Sequence, residues 1–267
     1  MNSRSQLVLA VVLVIGLAGC SGLSPFGSGT AYPDGYNESG ITDPETAANQ
    51  HSNALSEYDS YTQTMNITNP NRQVTMNLTV RVDEANKQSG ADIKANREGQ
   101  EVMRMEMYQK NNTTYEKTQM PLLGTVYNTT EQSFSSFKAN QTNTTDTEKW
   151  FSNVSFEEAD TVTRNDETLY KYNATGVDNA KAFTNVSGST TIDSVESFNA
   201  TLLVDKEGIL RSFSFDITAT SFGETQEMSA EIRTTDIGST TVNEPEWIEE
   251  AKSQSESNDT IPFEIGA

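Results

Sequence analysis

From Ser60 onward, apolar side chains recur at every second position of the chain. Tyr61, Met65 and Ile67 alternate with Thr62, Thr64 and Asn66. After an Asn69-Pro70-Asn71 turn, Val74, Met76, Leu78, Val80 and Val82 alternate with Thr75, Asn77, Thr79 and Arg81. A period of two with one apolar parity predicts antiparallel strands that bury one face and wet the other. Ala91, Ile93 and Ala95 continue the pattern into an Arg97-Glu98-Gly99-Gln100 turn. Met103, Met105 and Met107 then oppose Arg104 and Glu106, and Asn111-Asn112 turns the chain into Thr113–Thr118. Short turns between such runs predict a meander.

The alternation resumes at Thr161–Arg164 and at Thr168–Thr175, where Tyr170, Tyr172 and Ala174 share a face. Three strong runs follow. Phe198, Ala200, Leu202 and Val204 reach the turn Asp205-Lys206-Glu207-Gly208. Phe213, Phe215, Ile217 and Ala219 return to Gly223, and Met228, Ala230, Ile232 and Thr234 go out again. Runs of roughly 9–13 residues suit a large curved sheet better than a small sandwich.

Helical spacing is confined to a few places. Asp43 can cap a helix with Pro44 at its first position. Ala47, Ala48, His51, Ala54, Leu55 and Tyr58 then fall on one face. His51, the sole histidine, reads either as a ligand or acid/base group or as a polar residue where helix meets sheet. Residues 119–158 break the rhythm, with Phe134, Phe137, Trp150 and Phe151 in segments expected to form short helices. Asp178–Phe183 reads as a helical turn. Thr241-Val242 and Pro245-Glu246-Trp247-Ile248 read as a closing segment whose Trp packs down.

The N-terminus has another character. One cation, Arg4, precedes an apolar run from Leu7 to Leu17 and then small residues, the order of an export signal. The run falls short of the about 20 residues that a membrane helix needs. Leu17-Ala18-Gly19-Cys20 resembles the lipobox of lipoproteins, in which the cysteine becomes the first mature residue and carries lipid. An ordinary cleaved signal or an uncleaved anchor is the plainer reading. The expected organisation is a signal peptide over 1–19, a lipidated Cys20 and Ser/Gly/Pro-rich tether over 20–40, a folded domain over 41–251, and a polar acidic tail over 252–267. Cys20 is the single cysteine, so no disulfide is expected and the core must hold the exported domain.

The formal charge is −20, and cleavage removes Arg4 but no acid. Such a charge repels phosphates and makes nucleic acid an improbable partner. Scattered acids with few lysines suit concentrated salt, where repulsion is screened within about 3 Å at 1 M. The acceptor pattern Asn-x-Ser/Thr recurs from Asn37 to Asn258 and includes Asn128. Within the expected strands, Asn66, Asn77, Asn173 and Asn199 all fall on the polar parity, as a glycan requires.

The opposite parity is rich in soft side chains. Met65, Met76, Met103, Met105, Met107 and Met228 share it with Tyr170, Tyr172, Phe213 and Phe215. Methionine adapts to varied apolar shapes. These ten residues line either a cavity for an acyl or isoprenoid chain or a core filled by the helices. An export signal, an N-terminal helix, a long meander, mid-chain helices and further strands together resemble the LolA/LppX-type lipoprotein carriers. The resemblance implies an α+β fold: a half-open β-barrel, one large curved antiparallel sheet whose concave face is covered by the N-terminal and mid-chain helices. It implies a lipid-like ligand on that face and a membrane-anchored protein outside the cytoplasmic membrane. The closing run from Thr234 to Val242 and from Pro245 to Ala251 also resembles the end of haloarchaeal cell-surface lipoproteins of unknown function. No binding residue is carried over from either resemblance. An envelope protein docked on a module with a filled core is the alternative partner.

An enzyme is not expected. A serine or cysteine triad needs a histidine beside the nucleophile, and His51 stands alone on a helix. A zinc site needs several His or Cys ligands. No phosphate loop or dinucleotide fingerprint is present, so no cofactor is expected. The pairs Glu157-Glu158 and Glu249-Glu250 could act as glycosidase acids or calcium ligands, but in so acidic a chain they read as surface.

Overall fold

The computed structural model describes residues 32–136, 144–164, 166–178 and 192–258. The leader, Cys20, most of the tether, Phe137, most of the 178–183 turn and the end of the tail lie outside the described residues. The unit that begins at Tyr32 is compact.

A small hairpin, β1 (Tyr36–Asn37) and β2 (Gly40–Ile41), leads into helix α1 (Pro44–Ser56). Asp43 caps α1 as expected, its Oδ1 accepting from the Thr46 N–H at 3.0 Å. That contact holds the exposed Asp43 carboxyl below its ordinary range. The tether therefore ends earlier than expected. Tyr36 is buried and stacks on Tyr172 at 5.7 Å, and Tyr32 meets Tyr170 at 5.1 Å. Buried Tyr36 and half-buried Tyr32, in a Gly/Ser-rich stretch, draw it onto the core.

Six strands follow: β3 (Ser60–Asn69), β4 (Val74–Asp83), β5 (Gln88–Arg97), β6 (Gln100–Lys110), β7 (Thr113–Met120) and β8 (Gly124–Glu131). After α2 (Thr144–Asn153) come β9 (Glu157–Arg164), β10 (Glu167–Ala174), β11 (Ser194–Val204), β12 (Leu210–Ser221) and β13 (Glu224–Thr235). Helix α3 (Ile248–Asn258) closes the described chain. It takes residues 252–258 out of the expected tail and into a helix.

These strands form one eleven-stranded sheet in the order β8-β7-β6-β5-β4-β3-β13-β12-β11-β10-β9. Two meanders are joined where the first of these strands pairs with the last, Met65 opposite Ile232. The two edges, β8 and β9, are consecutive in the chain. The segment between them must therefore travel from one edge of the curved sheet to the other, and it carries α2 onto the concave face. The expected half-open, unclosed antiparallel sheet with helices on its concave side is the observed fold. In the 119–158 region the expectation holds for α2, whereas Gly124–Glu131 is a strand.

Cores lie on both faces. On the concave side, Phe151 of α2, with Val154 and Phe156 after it, packs on Tyr172, Leu202, Phe213 and Phe215. Trp150 lies 6.0 Å from Phe213. Leu55 of α1 packs beside Tyr61, Val80 and Val82. Each such side chain, once buried, contributes about 1.5–3 kcal/mol. On the convex side, Trp247, Ile248 and Ala251 pack on Tyr108, with Tyr115 and Tyr127 against them. Trp247 packs down as expected, but on the face opposite the other helices.

Candidate functional site: the concave face and its mouth

Register places all ten expected cavity residues on the concave face. One row runs Tyr172, Leu202, Phe213, Ile232, Met65, Leu78, Ile93, Met105, Thr118 and Val126 across consecutive strands. A parallel row contains Phe215, Ala230, Ile67, Met76, Ala95 and Met103. Tyr170 lies opposite Val204, Met107 opposite Ala91, and Met228 opposite Ile217. The four acceptor asparagines occupy the convex face and are exposed. Two of them are cross-strand partners, Asn77 Nδ2 donating to Asn66 Oδ1 at 2.7 Å.

The two halves of the concave face differ. Tyr170, Tyr172, Phe213, Phe215 and Met228 are buried beneath α2 and the segments around it. Met65, Met76, Met103, Met105 and Met107 are half-buried, and Met103 and Met105 join none of the three core clusters. The buried half retains two unmet donors. Among the described residues the hydroxyls of Tyr36 and Tyr172 have no hydrogen-bond partner, and burial raises both above the ordinary phenol range. Such groups can donate to a polar atom of a ligand or to water.

The half-buried methionines lead to one end of the sheet. The β3–β4, β5–β6, β7–β8 and β12–β13 turns all lie at that end, since Val74 pairs with Arg97, Gly124 with Met120, and Glu227 N–H donates to Asn71 Oδ1 at 2.6 Å. The exposed large apolar residues gather there: Leu122 is 98% exposed, Leu123 and Phe222 each 74%, Val126 54% and Val102 45%. Sequence reasoning missed this rim, although Leu122-Leu123 beside Pro121 was a visible apolar pair in a turn. Phe222 sits at φ +53 and Gly223 at φ +77 in the two-residue β12–β13 turn. A mirror-image turn favours Asn or Gly at its first position, and a bulky side chain there is strained. Tyr32, where the described chain begins, lies near Tyr170 at the opposite end.

Outside the concave face, His51 proves structural. Its Nδ1 accepts from the Leu210 N–H at 3.1 Å, and burial holds it down at about 4. Gln50 reinforces the contact, donating to the Glu207 carbonyl at 2.8 Å. Among the described residues one acidic group clusters, Glu167, Asp205 and Glu207, with ligand atoms within 4.8 Å of one another. Arg211 pairs with Glu167 and lies 3.8 Å from Asp205. Burial pushes the Asp205 carboxyl up to about 6 although its Oδ1 accepts from the Ile209 N–H. Glu157 and Glu249 are exposed. Hollows open on the convex face among the described residues, one of about 220 Å³ between Tyr108, Lys110, Tyr115 and Glu244. Another of about 240 Å³ is lined by Arg81, Asp92, Glu106 and Val242, and one of about 360 Å³ by Arg164, Arg211, Arg233 and Leu203.

The fold and face define an open antiparallel half-barrel with an apolar concave surface. The chain belongs to the family of unknown function DUF7537, whose pattern matches residues 5–251. Among curated proteins none matches the chain. It is similar to the crystal structure of the lipoprotein LppX of Mycobacterium tuberculosis, with 12% identity, TM-score 0.42, and coverage of 75% of this chain and 97% of that one. It is similar also to LprF from Mycobacterium bovis, with 12% identity, TM-score 0.38, and coverage of 76% and 95%. No helix among the described residues is long and apolar enough to cross a membrane.

Proposed function

We propose that this chain is an exported lipoprotein, anchored through Cys20, that holds a lipid-like apolar ligand on its concave face. The observation that carries the reading is the unequal covering of that face. Half of it is closed by packed aromatics, while five methionines stay half-buried and lead to an apolar rim. A soft surface with an exposed greasy border suits an acyl or isoprenoid chain of variable shape. The hydroxyls of Tyr36 and Tyr172, unpaired among the described residues, offer donors to a polar head. The acid-rich surface suits export into concentrated salt, where the asparagines of the convex face accept glycans.

The test is native mass spectrometry of the protein purified from its own membrane. The expected result is an adduct of fixed, lipid-like mass that Met105→Lys removes without unfolding the domain. A bare polypeptide, or an adduct that Met105→Lys leaves in place, would falsify the reading. The packing of Trp150 and Phe151 onto Phe213 and Tyr172 favours the second reading, a filled core whose surface binds an envelope protein. That reading expects no adduct.

A further inference from the structure

The two edges of the open sheet are guarded differently. β9 reads Glu157-Glu158-Ala159-Asp160-Thr161-Val162-Thr163-Arg164, half of it charged. Charge on an edge strand deters pairing with another strand. β8 reads Gly124-Thr125-Val126-Tyr127-Asn128-Thr129-Thr130-Glu131, with a single charge at its end. Residues 118–130 carry no charge at all, in a chain that is 21% charged. β8 pairs with β7 on one side only, and among the described residues nothing hydrogen-bonds its outer backbone. Thr, Val and Tyr are good strand formers. An unguarded, β-prone edge is a template for another strand.

We propose that β8 is the seam of a homodimer in which two copies pair edge to edge, antiparallel, about a two-fold axis. Charge selects the occupant. A second copy brings the same −20, so its contact must avoid acids, and residues 118–130 supply such a stretch: the acids nearby are Glu131 at the far end of β8 and Glu250, held by the Tyr127 hydroxyl on the convex face. The pairing is self-complementary, as a two-fold interface requires. With the axis at Val126, Val126 faces its own copy, Tyr127 faces Thr125 and Asn128 faces Gly124, so no acid opposes an acid. Leu122, Leu123 and Val126, exposed on the same hairpin, supply apolar area that backbone pairing alone lacks. Asn128 lies on the concave parity, opposite Glu116. A glycan there would rise from the face and not along the edge. The seam does not depend on the ligand proposed above.

The experiment is analytical ultracentrifugation of the detergent-solubilised full chain over a range of concentrations, with hydrogen exchange read on β8. The expected result is a two-chain mass at high concentration that falls to one on dilution. Alternate β8 amides should be protected only in the two-chain state. Val126→Lys should abolish the two-chain species. Val102→Lys, an equal charge change on an exposed apolar residue off the edge, should retain it. A single-chain mass throughout overturns the proposal. So does a dimer whose β8 amides exchange freely, an equal loss in both lysine variants, or protection of β8 that needs a different protein.

Discussion

His51 and Asp205 grip the same turn from opposite sides of the charge scale. His51 Nδ1 accepts from Leu210 N–H and Asp205 Oδ1 from Ile209 N–H, so two adjacent amides are held by a half-buried imidazole and a buried carboxylate. The grip fixes α1 against the β11–β12 turn, at the end of the sheet away from the apolar rim.

The pair has opposed pH dependences. His51 falls from 6.5 to about 4 through burial. Its stabilisation is present above 6.5 and is lost as pH falls to about 4. Asp205 rises from 3.8 to about 6, chiefly through burial. Its contribution is full below 3.8 and is lost as pH rises through 6. Each amounts to on the order of 3 kcal/mol over its range. In the wild type the two slopes oppose between about pH 4 and 6. His51→Gln should therefore gain stability relative to the wild type as pH drops across that window, and Asp205→Asn should lose it. Denaturation midpoints at about pH 7 and about pH 4.5 read the difference. Parallel behaviour of all three proteins would remove the pair's role.

The two halves of the concave face should answer differently to truncation. Phe213 is fully buried between Trp150, Phe156 and Phe215. Phe213→Ala should cost about 3–5 kcal/mol. Met105 is half-buried in the same register row, and Met105→Ala should cost below about 2 kcal/mol. Urea midpoints measure both. Comparable losses would mean that the methionine half is as tightly packed as the aromatic half.

Register and parity were legible because most strands have one wet and one buried face. Val74 to Val82 alternates cleanly, and that parity put the methionines on the side where they are found. β8 escaped because it is an edge strand with little buried on either face, so Val126 and Tyr127 form no period. α3 escaped for a related reason: Ile248 and Ala251 lie at its start, and the rest of its surface is polar. The unequal covering of the concave face depends on where α2 lands after crossing from β8 to β9. That is a long-range outcome, and no local pattern in the chain encodes it.

Two glycines separate the cost of backbone geometry from the cost of space. Gly35 has φ +86, and a Cβ there would come 2.6 Å from Ala47 N and 2.8 Å from the Asp43 carbonyl. Gly99 has φ +77 in the β5–β6 turn with nothing within 4 Å. Gly99→Ala should cost about 1 kcal/mol, the left-handed penalty alone. Gly35→Ala should cost clearly more, because α1 and the β1–β2 hairpin must move apart. Thermal midpoints of the two variants test this, and equal shifts would show that the hairpin is not seated on α1 as described.

Phe222 offers a trade between stability and use. Its backbone occupies a conformation that suits Asn, and its ring is mostly in water. Phe222→Asn should therefore hold or raise stability, by about 0.5–1 kcal/mol, since it relieves strain at the first position of a mirror-image turn. If the rim guides an apolar ligand onto the methionine surface, the same change should slow the capture of a fluorescent fatty acid severalfold while leaving Met105 and the buried half untouched. Stopped-flow uptake by delipidated protein, read beside a denaturation curve, separates the effects. A variant more stable and equally fast would leave Phe222 with no part in loading, whereas a variant less stable would contradict the strain assigned to it.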